Sequence, residues 1–147
     1  MLRKAAPVAF VLIGLLVGFA WAMYARNPAP VVPPVPAEAA NIGKPYVVKL
    51  HAKWCVVCMM TKGAWSEIEK TYAGRVNMVV FDFTTDSTTQ ASRAEAARLG
   101  LQRFFDDYAG ATGTIVVLDG RTREVLADLD GRRDFGEYRA AIEAALK

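Results

Sequence analysis

Cys55 and Cys58 are the only cysteines of the chain, and only Val56 and Val57 separate them. Two thiols at this spacing can close a disulfide with each other and exchange it with a partner. The pair follows an apolar, strand-like run and precedes a helix-like one. That junction places the first sulfur at a helix N-terminus, where unpaired backbone N–H groups and the helix dipole stabilise a thiolate. The second sulfur then lies one turn on, within reach of a mixed disulfide formed by the first. A purely structural bridge is a weak reading, because so small a loop constrains the unfolded chain little. Two cysteines and a single histidine, His51, are too few for a closed structural zinc site. A copper-handling module is the metal rival, with both thiolates on Cu(I) and help from Met59, Met60 or His51. Adjacent methionines on a helix point about 100° apart, however, and suit core packing better.

The residues around the pair refine this chemistry. Val56 and Val57 bring neither charge nor hydrogen bond, so moderate activation of Cys55 is expected and not a very strong oxidant. Trp54 offers a flat apolar contact that shields the disulfide and meets partners, its plainer alternative being surface packing. His51 shares a strand face with Lys49 and reads as a packing or hydrogen-bonding residue.

Periodicity supplies the elements that must position the pair. Residues 46–52 (YVVKLHA) read as a buried strand, and residues 55–73 as one helix with Met59, Trp65, Ile68 and Tyr72 among its apolar positions, stopped by Gly74. Residues 75–83 form a second strand. Asp86, Ser87, Thr88 and Thr89 offer N-caps for a helix through Leu99, stopped by Gly100. Residues 114–118 are a third strand, residues 124–129 a weaker edge strand, and residues 134–146 a final helix with Phe135, Tyr138, Ile142 and Leu146 on one face. The order predicts an α/β fold whose first three strands are parallel and whose last two form a hairpin. Residues 101–111 read as a connection whose Phe104, Phe105 and Tyr108 belong to local core.

The N-terminal part is of another kind. Residues 5–25 form a run of 21 residues without a charge, preceded by Arg3 and Lys4. As a helix it spans about 30 Å, one bilayer core. Trp21 and Tyr24 sit at its far end, where such rings favour the interface, and the basic residues before it predict that the rest of the chain crosses the membrane. The alternative is a cleaved signal peptide with Ala20-Trp21-Ala22 as its cleavage site. Both readings export the remainder, as an inner-membrane single-pass protein facing the periplasm or cell exterior, or as a soluble periplasmic domain. Residues 27–36 (NPAPVVPPVP) contain five prolines and read as a polyproline spacer. The organisation is thus an anchor at 1–26, a linker and lead-in at 27–42, and a domain at 43–147. From Ala37 onward 15 basic residues balance 15 acidic ones, and no basic patch suggests a nucleic-acid partner.

Taken together, Gly43-Lys44-Pro45, Ala52, Trp54-Cys55-x-x-Cys58, Glu67-Ile68, Tyr72, Gly74 and Gly131 resemble the thioredoxin superfamily over residues 43–147. With the membrane segment, the sequence is most similar to the C-terminal domain of DsbD-type reductants and related tethered proteins. The resemblance implies a three-layer α/β fold, with a central mixed sheet of about four strands flanked by helices, trimmed at its N-terminus and preceded by one transmembrane helix. It also implies a protein-disulfide oxidoreductase, working as a reductase, with Cys55 as nucleophile and Cys58 as resolving thiol. Its partners would be protein or peptide disulfides and dithiols, plus a membrane electron donor such as a DsbD-type protein; no cofactor or metal is called for. Lys49 stands where the family keeps a buried acid, with Asp82 on the neighbouring strand expected as its counter-charge. Thr112-Gly113-Thr114 stands where the family places a cis-proline loop that pairs main-chain groups with substrate, so these three are expected to bind it. A non-catalytic binding module on the same scaffold is the remaining alternative.

Overall fold

The computed structural model describes residues 41–132 and 134–147. The expected anchor, the proline-rich linker and the N-terminal trimming lie outside the described residues. Among those described, no helix is long and apolar enough to cross a membrane.

The elements run β1 (Tyr46–His51), α1 (Val56–Met60), α2 (Lys62–Tyr72), β2 (Asn77–Asp82), α3 (Asp86–Arg98), α4 (Gln102–Asp107), β3 (Thr114–Leu118), β4 (Val125–Asp130) and α5 (Phe135–Ala145). The four strands form one mixed sheet in the order β2-β1-β3-β4. β1 is buried on both faces because both are covered, Lys49 included. Tyr46, Val48 and Leu50 join Val79, Phe81 and Val116 under α3 and α4, with Ala96, Phe104 and Phe105. Val47 on the opposite face joins Ile115 and Val117 under α2 and α5, with Trp65, Ile68, Tyr138 and Ile142. The two-residue alternation of a strand thus splits one apolar run between two cores.

Four expectations need correction. β1 and β2 are parallel, but β3 runs antiparallel to β1, so the first three strands are not parallel throughout. A single helix after β2 would return the chain to the start of β1. Here a second helix, α4, follows α3, and β3 begins beside the end of β1, with Ile115 opposite Lys49 and Leu118 opposite Tyr46. Residues 101–111 are therefore not a plain connection. Six residues of helix are too few to show a period. The expected single helix from 55 to 73 is also two, broken at Thr61, whose hydroxyl donates to the Cys58 carbonyl at 3.3 Å. Finally, α3 is capped by Thr85 rather than by the run that starts at Asp86, in a reciprocal box with Thr88.

The aromatic expectation for residues 104–108 holds. Phe105 is fully buried, meets Phe81 edge-on at 5.2 Å and stacks on Phe83 at 5.2 Å. Phe104 stacks on Tyr108 at 4.5 Å, and the Tyr108 hydroxyl donates to Asp128 of β4 at 2.9 Å. These contacts hold α4, and α4 sets the direction of β3. Phe105→Ala is expected to destabilise the fold by about 3–5 kcal/mol, the usual cost of removing a buried ring. Urea denaturation followed by circular dichroism measures it, and a loss under about 1 kcal/mol would deny α4 this anchoring role.

Candidate active site

The site is built where β1 ends. The Cys55 amide donates to the Ala52 carbonyl at 3.2 Å, which closes a turn over Lys53 and Trp54. A second strand end braces that turn. Thr84 accepts from the Lys53 amide at 3.0 Å through its hydroxyl, and from the Trp54 indole at 3.4 Å through its carbonyl. Thr84 is held in turn by Asp82, whose carboxylate accepts from the Thr84 amide at 2.7 Å and from its hydroxyl. Burial works against the Asp82 carboxylate, but these two hydrogen bonds outweigh it and hold the group below the usual range.

This is not the role expected of Asp82. In the parallel register Asp82 stands opposite His51, while Lys49 stands opposite Val80 and, on its other side, Ile115. The expected Lys49–Asp82 pair is replaced by an Asp82–Thr84 brace. A two-residue offset in register decides this, and composition does not encode it. The sequence reading missed Thr84 altogether, although an Asp two residues before a Thr at a strand end is a known local turn pattern.

The two thiols differ sharply. Both are free. Cys55 is the N-cap of α1, and its Sγ accepts the Cys58 amide at 3.1 Å. Burial raises its pKa, but hydrogen bonds from the Cys58 side chain, the Thr112 side chain and the amides of Cys58 and Val57 prevail, so the Cys55 thiol lies below its ordinary value. Cys58 is only 2% exposed, and its thiol donates to the Leu50 carbonyl at 3.7 Å. Burial first, and then the hydrogen bond with Cys55, push it up to about 11. The outer sulfur is therefore the ready thiolate and the inner one the held thiol.

A glycine closes the far wall. Gly113 has φ +99 in a chain without cis peptides among the described residues, and its amide donates to the Leu50 carbonyl at 2.8 Å. A Cβ there would sit 2.7 Å from Val57 Cγ1 and 3.5 Å from Cys55 Sγ. Val57 thus occupies the space that a side chain at position 113 would need. Thr112 touches Cys55, whereas the Thr114 hydroxyl is taken by Asp130 at 3.2 Å. Of the three expected loop residues, Thr112 and Gly113 flank the sulfur and Thr114 ties the loop to β4.

Around Cys55 the surface is apolar. Trp54 is 63% exposed, and Val56, Met59 and Met60 are exposed beside it. The methionines are therefore not the core packing expected of them. Among the described residues no group of three His, Cys, Asp or Glu converges as a metal site. Lys49 is 7% exposed, with its ammonium 5.3 Å from the Trp65 ring centroid. It does not reach out past the sheet.

Two measurements check this geometry. Thiolate absorbance titration of the reduced protein should show two steps, one below the ordinary cysteine value and one near 11. A single step for both sulfurs would contradict the asymmetry. Gly113→Ala should displace the loop, remove the Thr112 contact and move the first step upward, and shrinking Val57 to alanine in the same chain should restore part of the shift.

Residues 37–98, which include β1, both cysteines, β2 and α3, match the thioredoxin family model. No curated protein matches the chain in sequence. Among solved structures, the Malassezia sympodialis thioredoxin is 22% identical, aligned over 75% of this chain and 84% of that one, with a TM-score of 0.46. Fasciola hepatica thioredoxin is 16% identical over 74% and 88%, TM-score 0.47. Oxidised thioredoxin O2 of Arabidopsis thaliana is 19% identical over 71% and 77%, TM-score 0.47. The stretch that matches the thioredoxin family model thus carries the cysteine pair at the end of the central strand β1 of the mixed four-stranded sheet.

Proposed function

We propose that this protein is an exported, membrane-tethered thiol–disulfide oxidoreductase that reduces partner disulfides. The observation that carries the exchange chemistry is the inequality of the two sulfurs. Cys55 has a lowered pKa beneath an exposed apolar rim, and Cys58 is buried behind it with a raised one. The Cys55 thiolate attacks one sulfur of a partner disulfide. A mixed disulfide forms, and the partner's other sulfur leaves as thiolate. Cys58 loses its proton and attacks Cys55 Sγ, which closes the Cys55–Cys58 disulfide and expels the partner reduced. Two electrons have then passed to the partner, and a dithiol donor in the membrane, of DsbD type, returns them.

The rim suits this work. Trp54, Val56 and Met59 can cover an extended apolar segment and exclude water from the exchanging sulfurs. Gly113 lets the loop lie close against Val57 and Cys55, where a Cβ would not fit. Reductase rather than oxidase rests on the similarity of the cysteine motif and the N-terminal segment to DsbD-type reductants. Export and tethering rest on the uncharged run at 5–25 behind Arg3 and Lys4.

Two experiments test the proposal. Cys58→Ala in the full chain should accumulate mixed disulfides with cellular proteins, visible on non-reducing gels and lost with dithiothreitol, while Cys55→Ala should accumulate almost none. Equal trapping by both variants would reject Cys55 as the nucleophile. An alkaline phosphatase fused after Lys147 should be active, as required of an exported C-terminus, and an inactive fusion of normal abundance would reject the localisation.

A further inference from the structure

The two edges of the sheet differ. β4, on one side, carries Asp128 and Asp130 and pairs with β3 through a register shift at Val117 and Leu118. Charges and irregular pairing keep an edge strand from accepting a stray one. β2, on the other side, is regular and reads Asn-Met-Val-Val-Phe-Asp, with Val80 45% exposed. The amides of Asn77 and Phe83 donate inward, to the Pro45 and His51 carbonyls at 2.8 and 2.7 Å. Strand alternation then turns the amides and carbonyls of Met78, Val80 and Asp82 outward. Ser92 of α3 closes the last of these. Its hydroxyl accepts from the Asp82 amide at 2.8 Å and donates to the Asp82 carbonyl at 3.4 Å. Among the described residues nothing takes the outward groups of Met78 and Val80.

The chain before Asn41 arrives at this edge. The Asn77 side-chain amide donates to the Asn41 and Lys44 carbonyls at 3.0 and 2.9 Å, so the turn at 41–44 is pinned to the first residue of β2. A cavity of about 700 Å³ opens beside Asn41, Asn77 and Met78. Pro36 is the last proline before the turn, and Ala37, Glu38, Ala39 and Ala40 all carry amides. Four extended residues reach about 13 Å, and Asn77 to Val80 spans about 10 Å. Proline, with no N–H to give, would first stand beside Asp82, where Ser92 has already closed the edge.

We propose that residues 37–40 pair with β2 as a further strand, antiparallel to it, so that the proline linker leaves the domain beside the active-site turn. β2 is parallel to β1, and its end at Asp82 braces that turn through Thr84. The linker is then a strap along the sheet and not a stalk under its far end. One consequence rests on the tethering proposed above. With the anchor in the bilayer, the strap turns Cys55 towards the membrane, where a membrane dithiol donor can meet it. A chain that hung from Asn41 alone would hold the cysteines about 20 Å further out, the length of β1.

Hydrogen exchange, read by NMR on the full chain, tests the strand. The Met78 and Val80 amides should exchange about a hundredfold more slowly than exposed amides. Glu38→Pro and Ala39→Pro remove neighbouring amides, of which alternation points only one at β2. One variant should speed exchange at Met78 and Val80 by about tenfold or more. The other should leave it within about threefold, since an edge strand tolerates proline on its open side. Val79 and Phe81, whose amides face β1, should not change in either.

Met78 and Val80 exchanging as fast as exposed amides in the unaltered chain would overturn the proposal. So would the same response to both prolines, or protection that grows with protein concentration, which would make a second copy the occupant. In nanodiscs with nitroxide-labelled headgroups, broadening should be stronger at Trp54 and Val56 than at Gly120 and Arg121, at the other end of the sheet. The reverse order would overturn the membrane-facing orientation. A chain that stays out of the bilayer would refute the anchor, while the exchange pattern decides the strand on its own.

Discussion

Everything at the site hangs from β1, which is hydrogen-bonded on both sides, to β2 in parallel and to β3 antiparallel. A strand so held cannot shift its end. The Leu50 carbonyl, the Ala52 turn and the Cys55 amide therefore occupy set places relative to the two neighbouring strands. β2 supplies the Asp82–Thr84 brace from one side, and the loop into β3 supplies Gly113 on the other. The reactive sulfur is thereby held from three directions by main-chain geometry. Its own helix, α1, has only five residues and could not do this alone.

The properties of the sulfurs follow from depth. They are one helical turn apart and hydrogen-bonded through the Cys58 amide, yet their pKa values move in opposite directions. Local N–H donors converge on Cys55, while Cys58 is buried against the Leu50 carbonyl, the Ala52 amide and Cys55 itself. Val56 and Val57 matter less through what they donate than through where they lie. Val56 is exposed in the rim, and Val57 fills the hollow over Gly113.

Much of this was legible in the chain. The cysteine spacing, the apolar run before it and the Gly stops after two helices located the site and most elements within a residue or two. Strand direction was not legible, because it depended on α4, a helix too short to show periodicity among aromatic residues that read as loop core. The break at Thr61 was hidden for a related reason: one hydroxyl bonding to a preceding carbonyl leaves no mark on the apolar pattern. The partner of Asp82 was misread because parallel register is set by side-chain packing across strands, so being neighbours in strand order did not make Lys49 and Asp82 neighbours in space.

One carbonyl ties the reactive pair to the sheet. The Leu50 oxygen receives the amide of Gly113 and the thiol of Cys58 together. Closing the Cys55–Cys58 disulfide removes the S–H donor and leaves Gly113 as the remaining of these two partners. The oxygen's hydrogen-bond count thus changes with the oxidation state, and the Gly113 amide proton shares in that change. The domain carries its own gauge: a backbone resonance in a neighbouring strand's approach loop that distinguishes dithiol from disulfide without any label on sulfur.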